Sequence, residues 1–405
     1  MMPIGTLSEI ESGGRTILLR LDLNSPIDPT TNLILDDKRF REHIPSIQAL
    51  SDSRLVIITH QSRPGKKDFT TLEAHAERLA QLIQKPVSYI DDIFGRYAHD
   101  SVRSMKNGDV LMLENVRFSA EENLTVTPED AMKLHLVKRL SEMGDIFVND
   151  AFGTAHRSQP TMVGLPMAMR SVAGLLMEKE VTTLSRVFKN APRPVCMILG
   201  GTKVDDSMAV ADHMLTHHIA DQVIVIGVVA NIFLQAQGYD IGKPSSQLIQ
   251  QLGYENEISH ARNLLSLYPE KIFVPEWVAV KEDGSRSEYP VNSIPAKGPV
   301  LDLGMDSIIA FSKAVKKAGT VVFNGPAGVF EEKNFATGTF ELLKAAASVE
   351  FSVIGGGHTA AVAEKMGIET NFTHISTGGG ACIEFLTGET LPAVDALERS
   401  KKRYG

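Results

Sequence analysis

The sequence predicts an α/β fold made of two doubly wound, parallel-sheet (Rossmann-like) domains joined by a hinge helix. Its 405 residues exceed what one hydrophobic core usually serves, so two domains are expected. In both halves, short apolar runs of strand composition alternate with helical segments, which favours parallel strands connected by right-handed crossovers. The residues that follow these runs differ between the halves: Arg and His are frequent in the first half, and glycine is frequent in the second.

The composition is that of an ordinary globular protein, with 43% hydrophobic residues, 22% charged residues and a net charge of −8. This acidic balance argues against nucleic acids and membranes as partners, so an anionic substrate would need a local cluster of Arg and His. Cys196 and Cys382 are far apart and indicate neither a disulfide framework nor a metal site. The first residues do not resemble a signal peptide and no apolar stretch is long enough to span a membrane. We therefore expect a cytoplasmic protein, either a monomer or a homodimer.

Four strands are predicted in the first half, at residues 17–24, 55–60, 110–113 and 145–150. In parallel sheets of this kind, ligands bind beyond the carboxyl ends of the strands. The residues at or just beyond these ends, together with one on the helix after the first strand, are Asp22, Asn24, Arg39, His60, Arg63, Arg117, His156 and Arg157.

Each of these residues taken alone could be a surface residue or a local cap. Arg63, Arg117 and Arg157, however, follow three different strands of the predicted sheet. Guanidinium groups bind carboxylate and phosphate through paired hydrogen bonds. Arginines at several strand ends therefore predict a pocket for an anion that carries such groups.

The two halves are separated by a segment of helical periodicity, residues 173–188, and a polar, proline-containing break at 189–194. We place the N-terminal domain at 1–172, a connecting helix and hinge at 173–190, and the C-terminal domain at 191–384. An ordinary packed helix without a hinge role is the alternative.

Five strand-like runs in the second half end in glycine: residues 197–201, 223–227, 321–325, 351–357 and 374–380. The three glycines at 355–357 precede a predicted helix, where backbone N–H groups can bind an anion at the positive helix end. A tight turn without a ligand is the alternative. The pattern G-x-x-x-x-G-K-[ST] is absent, which excludes a P-loop NTPase, and the match of 355–360 to the dinucleotide fingerprint is weak.

Two charged residues of the second half are further candidates. Lys203 directly follows a Gly-Gly-Thr segment, so it either directs a charge at a phosphoryl group or lies on the surface at a helix end. Glu331 either accepts hydrogen bonds from ribose hydroxyls or favours a helix N-terminus. An arginine-rich pocket and a glycine-lined nucleotide site on either side of a hinge fit phosphoryl transfer, which needs positioning, charge neutralisation and exclusion of water.

Eight motifs spread along nearly the whole chain resemble those of the phosphoglycerate kinase family, archaeal type. They are RLDLNSP (20–26), HQSRP (60–64), LENVRF (113–118), VNDAFGTAHR (148–157), LGGTKV (199–204), NGPAGVFE (324–331), GGGHT (355–359) and STGGG (376–380).

The resemblance implies a phosphotransferase with a carboxyl group as acceptor, acting in glycolysis and gluconeogenesis. The reaction would be reversible in-line transfer between 1,3-bisphosphoglycerate and ADP, giving 3-phosphoglycerate and ATP, across a closing interdomain cleft. Mg²⁺ would be bound with the nucleotide. The C-terminal segment, residues 385–405, would pack back on the first domain.

Carried over position by position, the resemblance also implies the roles of individual residues. Arg39 and Lys203 would be catalytic. The phosphoglycerate would be held by Asp22, Asn24, Arg39, His60, Gln61, Ser62, Arg63, Arg117 and Arg157. The nucleotide would be held by Lys203, Glu331, Gly356, Gly357, His358 and Thr359.

Two positions depart from the pattern of bacterial and eukaryotic members. His358 stands where those members usually have an Asp that approaches the metal, and Ser207 stands where they usually have a second Lys. Both variations resemble the archaeal branch. They imply no metal ligand from the chain at position 358 and one phosphate-facing charge fewer at position 207.

Two other functions are compatible with parts of this pattern. One is an acyl-phosphate kinase that acts on a different acid, which the arginine cluster alone does not exclude. The other is a catalytically silent nucleotide-binding protein. The presence of both Arg39 and Lys203 argues against the second, because binding alone does not need a cation on each side of the transferred group.

Overall fold

The structure is a computed structural model that describes residues 4–405. The chain forms two compact units. Unit 1 contains the chain up to Thr182 together with Thr390–Gly405, and unit 2 contains Thr183–Glu389. Among the described helices, none combines the length and the apolar character that crossing a membrane requires.

Unit 1 is built on one parallel sheet of six strands. In chain order these are β1 (Thr16–Arg20), β2 (Arg54–Ile58), β3 (Ser88–Tyr89), β4 (Val110–Met112), β5 (Ile146–Asn149) and β6 (Ser171–Ala173). Their order across the sheet is β3-β4-β2-β1-β5-β6, and every neighbouring pair is parallel. The four predicted strands are the four central ones of this order. The outer strands β3 and β6 were not predicted.

Eight helices lie between successive strands of this sheet or after its last strand. They are α1 (Lys38–Ala49), α2 (Glu73–Ile83), α3 (Arg96–Ser104), α4 (Pro128–Ala131), α5 (His135–Ser141), α6 (Pro160–Val163), α7 (Leu165–Ala168) and α8 (Leu175–Lys189). Alternate residues of β1 enter two separate hydrophobic clusters: Leu19 packs in the cluster of Phe40 from α1, and Leu18 in that of Leu140 from α5. Both faces of the sheet are therefore covered, as a doubly wound fold requires.

Unit 2 contains nine strands in two sheets. They are β7 (Val195–Leu199), β8 (Gln222–Val225), β9 (Ile272–Phe273), β10 (Trp277–Glu282), β11 (Ser285–Pro290), β12 (Val300–Leu303), β13 (Thr320–Asn324), β14 (Phe351–Gly355) and β15 (His374–Ile375). The larger sheet is parallel, with the order β15-β14-β13-β7-β8-β9. The predicted α/β class with two parallel sheets is confirmed.

A three-stranded antiparallel sheet, of order β11-β10-β12, adds to unit 2 and was not predicted. Its hairpin turns at Asp283-Gly284, where both residues have positive φ (46° and 80°). This conformation matches the twist of the flanking strands, and Asp-Gly is among the sequences that adopt it most readily.

The helices of unit 2 are α9 (Val204–Thr216), α10 (Gly227–Ala236), α11 (Lys243–Leu252), α12 (Glu255–Leu267), α13 (Met305–Val315), α14 (Thr337–Ala346), α15 (Gly357–Lys365) and α16 (Gly380–Leu386). The last helix of the chain, α17 (Pro392–Tyr404), belongs to unit 1. There the backbone N–H of Ala393 donates to the carbonyl of Ala155 (3.1 Å), and the hydroxyl of Ser400 donates to the carbonyl of Met169 (3.3 Å).

The division between the units falls inside α8, between Thr182 and Thr183. Before α17, the chain is still part of unit 2: the ring of Phe385 lies 5.8 Å from that of Phe188, centroid to centroid. The role of α8 as a hinge stays a prediction.

Candidate functional sites

In unit 1, the segments that follow β4, β2, β1 and β5 meet at one edge of the sheet, because these four strands are neighbours and parallel. They border a cavity of about 740 Å³. Its lining residues are Asn24, Ser62, Arg63, Lys66, Asp68, Arg117, Asn123, Arg157 and Gln159.

Arg117 is the buried cation of this cavity. It donates hydrogen bonds to the carbonyl of Ser62 and to Oε1 of Gln159 (3.2 Å), and its enclosed Nε has no hydrogen-bond partner in the structure. Burial lowers the pKa of Arg117 to about 10, and the positive charges of Arg157 and Arg20 add to this effect. Desolvation and the nearby like charges thus destabilise the charged form of Arg117, and a bound anion would stabilise it.

Arg63 and Arg157 are the exposed arginines of the cavity, and Lys66 is a further exposed cation in its lining. Neither guanidinium has a hydrogen bond or an ion pair with another residue within 4–405. Arg117, by contrast, is already held in place by protein acceptors. The cavity therefore offers one fixed guanidinium and two that remain available to a ligand.

Arg39 reaches the same end of the sheet from α1, where it donates a hydrogen bond to the carboxylate of Asp22. The side chain of Asp22 is 4% exposed and that of Arg39 is 40% exposed. The backbone N–H of Asp22 donates to Nε2 of His43 (3.2 Å), so the ring proton of His43 lies on Nδ1, which donates to Asp150 (2.8 Å). The other carboxylate oxygen of Asp150 accepts from the backbone of Leu176 (2.9 Å) in the first turn of α8.

His60 is 1% exposed and is held as a neutral ring. Its Nδ1 lies 3.3 Å from Nη2 of Arg20, and because Arg20 can only donate, Nδ1 accepts and Nε2 carries the proton. Burial first, and then the nearby charges of Arg20 and Arg117, place the pKa of His60 well below its ordinary value. Near neutral pH, His60 can therefore donate a hydrogen bond but does not carry a positive charge.

Three other predicted residues organise the loops. Gln61 is fully buried: its Oε1 accepts from the backbone of Ser25 (3.2 Å) and from His75 (3.1 Å), and its Nε2 donates back to Ser25 (3.0 Å). Asn24 accepts the backbone N–H of Ser62 (2.7 Å), which has a positive φ of 55°. The structure therefore places Asn24 and Ser62 in the cavity wall and Gln61 behind it.

In unit 2, the turns after β14, β13 and β7 lie side by side, because these strands are neighbours in the sheet. They border a cavity of about 230 Å³. Its lining residues are Gly200, Gly201, Thr202, Lys203, Asn324, Gly325, Pro326, Gly356, Gly357, His358, Thr359, Gly379, Gly380 and Ile383. The turns are tied together, since the N–H of Gly325 donates to Oγ1 of Thr359 (3.1 Å).

Three helices of this unit, α9, α15 and α16, begin at the cavity. Gly356, with a φ of +88°, precedes α15, and a Cβ at this position would lie 2.9 Å from Oδ1 of Asn324. Lys203 precedes α9; its side chain is 69% exposed and its Nζ lies 3.7 Å from Asp206. An exposed cation and the N-termini of three helices thus border the same space, which suits a phosphate chain. His358 is exposed in this wall, 6.3 Å from the ring of Phe330.

A second, mainly apolar cavity of about 140 Å³ adjoins the first and shares Gly201, Thr202 and Pro326 with it. Its remaining lining residues are Gly227, Val228, Ala230, Asn231, Leu248, Pro275, Val278, Val300, Leu301, Asp302, Leu303, Ala327, Gly328 and Val329. Glu331 lines neither cavity. It is exposed, two residues beyond Val329.

The model of the family described as phosphoglycerate kinase matches residues 7–389. The phosphoglycerate kinase of Methanocorpusculum labreanum is 62% identical over 404 residues and covers 100% of both chains. That of Methanothermus fervidus is 46% identical over 406 residues, covering 100% of this chain and 99% of the relative.

The crystal structure of phosphoglycerate kinase from Pyrococcus horikoshii OT3 superposes with a TM-score of 0.91 at 40% identity, covering 99% of this chain and 100% of the other. The enzyme from Coxiella burnetii gives 0.84 at 31% identity, covering 100% of each chain.

The chain belongs to the phosphoglycerate kinase family. The resemblance that the eight motifs carry is confirmed, as is the predicted enzyme class, a phosphotransferase with a carboxyl group as acceptor.

Some residues that build the phosphoglycerate kinase cavity of unit 1 were missed by the sequence prediction. Lys66, Asn123 and Gln159 line it from positions several residues beyond the strand ends. Arg20 is fully buried behind it, where Nε donates to Thr161 (3.1 Å) and the guanidinium lies 3.9 Å from Glu122. The signal for Arg20 was its charge inside an otherwise apolar strand, which requires a buried partner.

Proposed function

We propose that this family member transfers a phosphoryl group reversibly between 1,3-bisphosphoglycerate and ADP, with the phosphoglycerate bound in unit 1 and the nucleotide in unit 2. The observation that carries this proposal is the cavity of unit 1. Arg63 and Arg157 have no anionic partner there among the described residues, and the charged form of Arg117 is destabilised by burial and by nearby positive charges. Such a surface matches a small molecule that carries a phosphate at one end and a carboxylate at the other.

In unit 1, Arg63 and Arg157 would bind the phosphate of the phosphoglycerate, with Arg117 as the fixed third cation. Neutral His60 would donate one hydrogen bond to the ligand. Asn24 and Ser62 would shape the loop that holds it, and Gln61 would support this loop from behind.

Arg39 would act on the reacting groups themselves. Its hydrogen bond to the buried carboxylate of Asp22 restricts the guanidinium while leaving part of it exposed. A guanidinium held in this way can stabilise the charge of a transferring phosphoryl group without first having to reorganise.

In unit 2, the phosphates of the nucleotide would lie against the turn from Gly356 to Thr359 and the N-termini of α9 and α15, with Lys203 as an exposed cation beside them. The ribose and base would then extend into the adjoining apolar cavity. Glu331 is close in sequence to this cavity and is proposed to contact the ribose.

The chemistry needs no protein nucleophile. In the direction of ATP formation, an oxygen of the β-phosphate of ADP attacks the phosphorus of the acyl phosphate, and the bond from phosphorus to the carboxyl oxygen breaks. The released electron pair remains on the carboxylate of 3-phosphoglycerate. Arg39 and Lys203 would balance the charge of the phosphoryl group from the two substrate sides.

Mg²⁺ is proposed to enter as part of the nucleotide substrate. Within residues 4–405, no group of three or more His, Cys, Asp or Glu side chains is arranged to hold a metal ion. Mg²⁺ is commonly bound by substrate phosphates, waters and one or two carboxylates rather than by a protein cage. The donors lining the phosphate cavity fit a Mg-nucleotide rather than a free ion.

A coupled assay tests the proposed reaction directly. Purified protein should consume ATP and form 1,3-bisphosphoglycerate in the presence of 3-phosphoglycerate and Mg²⁺. A coupling enzyme then reduces the 1,3-bisphosphoglycerate with NADH, and the loss of NADH is measured. Other phosphorylated acids at the same concentration serve as controls for an acyl-phosphate kinase of different specificity. Folded protein that shows no turnover with 3-phosphoglycerate would contradict the proposal.

We also propose that α8 acts as a hinge between an N-terminal phosphoglycerate-binding domain and a C-terminal nucleotide-binding domain. Small-angle scattering should then show a smaller radius of gyration only when both substrates are present. An unchanged radius would argue against the hinge. The forward scattering of the same samples gives the mass, and a monomer or a homodimer is expected. We expect the protein to act in the cytoplasm.

A further inference from the structure

Asn231 is a buried polar residue of unit 2 without a partner. It lies on α10, is 4% exposed and lines the apolar cavity. Its side-chain amide makes no hydrogen bond to any other residue in the part of the chain that the structure describes. An amide carries two donors and an acceptor, so the Asn231 side chain can hydrogen-bond with a molecule that enters the cavity.

The neighbours of Asn231 do not account for an amide at this position. The only other polar side chain of α10, Gln235, makes no hydrogen bond to Asn231: its Nε2 donates to Ser246 (3.0 Å), and its enclosed Oε1 has no partner in the part of the chain that the structure describes. The other buried polar residue of the cavity, Asp302, is fully engaged: it accepts from the backbone N–H groups of Leu303 (2.9 Å) and Gly338 (3.0 Å) and from a guanidinium nitrogen of Arg286 (2.9 Å). Asn231 is thus the buried polar side chain of this cavity that remains available to a ligand.

The position of the cavity indicates which part of a ligand Asn231 would meet. The cavity shares Gly201, Thr202 and Pro326 with the phosphate cavity that Lys203 borders. If phosphates lie beside Lys203, as proposed above, the nucleotide continues past this shared wall. The apolar surface then packs against the flat base, and a polar group within it contacts the edge of that base.

We propose that Asn231 recognises the purine base by hydrogen bonding to its exocyclic amine and an adjacent ring nitrogen. Adenine presents a donor next to an acceptor on each of two edges, and an asparagine amide offers the complementary acceptor and donor. This assignment rests on the proposed function and makes Asn231 a specificity-determining residue for the nucleotide substrate.

The probe that isolates this contact is purine riboside triphosphate, which is ATP without the exocyclic amine. GTP is a poorer probe, because the amide of Asn231 can rotate by half a turn and pair with the carbonyl and ring N–H of guanine. Two nucleotides that differ only in the amine keep the phosphates, the ribose and the shape of the base constant. Their KM ratio therefore measures recognition of the amine alone.

For the parent protein we expect KM to be about fivefold to tenfold higher for purine riboside triphosphate than for ATP, the difference that one hydrogen bond in a site commonly supplies. Asn231→Leu keeps the size of the side chain and removes its polar atoms, so the ratio should fall to about one. Leu248→Ala removes apolar lining of the same cavity and should raise both KM values while leaving the ratio as in the parent.

A purely structural role for Asn231 predicts a different result. Asn231→Leu would then lower the Tm of the ligand-free protein and raise both KM values together, with the parental ratio retained. Retention of that ratio, or no preference for ATP in the parent, would overturn the assignment. Absence of turnover with every nucleotide in the parent protein would instead contradict the proposed function, so the two failures are distinguishable.

Discussion

The guanidinium of Arg39 donates a hydrogen bond to the carboxylate of Asp22, and this carboxylate is almost completely buried. The backbone N–H of Asp22 donates to His43, which in turn donates to Asp150. Since Asp150 accepts from the first turn of α8, a continuous series of hydrogen bonds links the partly exposed Arg39 to the start of that helix. The position of Arg39 is therefore set by the interior of unit 1 and not by its own flexible side chain.

Replacement of Arg39 by Ala should lower kcat by about 10²–10³ with little change in KM for ATP, because a single group aimed at developing charge is often worth this much. Steady-state kinetics with both substrates varied would measure it. Arg41→Ala is the matched control: Arg41 lies on the same helix but is paired with Asp37 on the surface, and its removal should leave kcat nearly unchanged. Near-parental kcat in Arg39→Ala would argue against a role in transfer.

Replacement of Lys203 by Ala should lower kcat by at least about tenfold and raise KM for ATP, while KM for 3-phosphoglycerate stays close to that of the parent. The physical reason is that Lys203 is a largely exposed cation at a helix N-terminus, free to approach phosphate oxygens. Lys316→Ala, at the exposed end of α13, serves as the control. An equal rise in the KM of both substrates would contradict this assignment.

Replacement of Arg157 by Ala should raise KM for 3-phosphoglycerate by about tenfold or more, since a hydrogen bond between charged groups contributes roughly 1.5–3 kcal/mol. The parent should also lose affinity for this substrate as ionic strength rises, and the variant should lose less. Arg139→Ala removes a partly exposed arginine of α5 that is paired with Glu142 and should leave both behaviours unchanged. The same salt dependence in parent and variant would exclude a direct phosphate contact.

The low pKa of buried His75 should make the folded protein less stable as the pH falls. Burial beside Phe40 lowers the pKa of His75 to about 4, and its ring donates to Gln61 in the neutral form. Between pH 6.5 and pH 4, His75 therefore binds a proton in the unfolded chain but not in the folded one. The free energy of unfolding decreases as the pH falls through this range, by about 3 kcal/mol in total.

Calorimetric Tm values between pH 7 and pH 4.5 would test this prediction. His75→Gln keeps a donor for Gln61 and cannot be protonated, so its Tm should fall less steeply than that of the parent below pH 6.5. The exposed His218, replaced by Gln, provides the control and should keep the parental profile. Parallel curves for His75→Gln and the parent would show that His75 takes up its proton equally in both states.

The rule that parallel strands present their carboxyl ends together was sufficient to bring Arg63, Arg117 and Arg157 into one cavity. This rule did not select Gln61, which was assigned to the substrate from the family resemblance and lies between His60 and Ser62. Side chains of consecutive residues leave the backbone in different directions, and Gln61 points into the protein where Ser25 and His75 satisfy it. Position in sequence gives proximity to a site, but the direction of a side chain depends on its partners.

Other features had too weak a pattern to be predicted. The strands β3 and β6 contain two and three residues and, unlike the equally short but wholly apolar β4, each includes a serine, so no apolar run marks them. β11 is polar and only partly buried, so it has no apolar face that alternation could show. Asn231 stands among Ala230, Ile232 and Phe233, where it reads as one polar residue of a core helix. Its exposure to a cavity depends on residues from β10 and β12, which come much later in the chain.

The return of α17 to unit 1 has a consequence for synthesis. Chains generally fold domain by domain as they are made, beginning with the N-terminal domain. Here the N-terminal unit lacks α17 until residues 392–404 have been synthesised, because Ala393 and Ser400 supply contacts to segments made more than two hundred residues earlier. All of unit 2 is by then available to fold. The half of the molecule that is translated first is therefore expected to be the last to reach its final form.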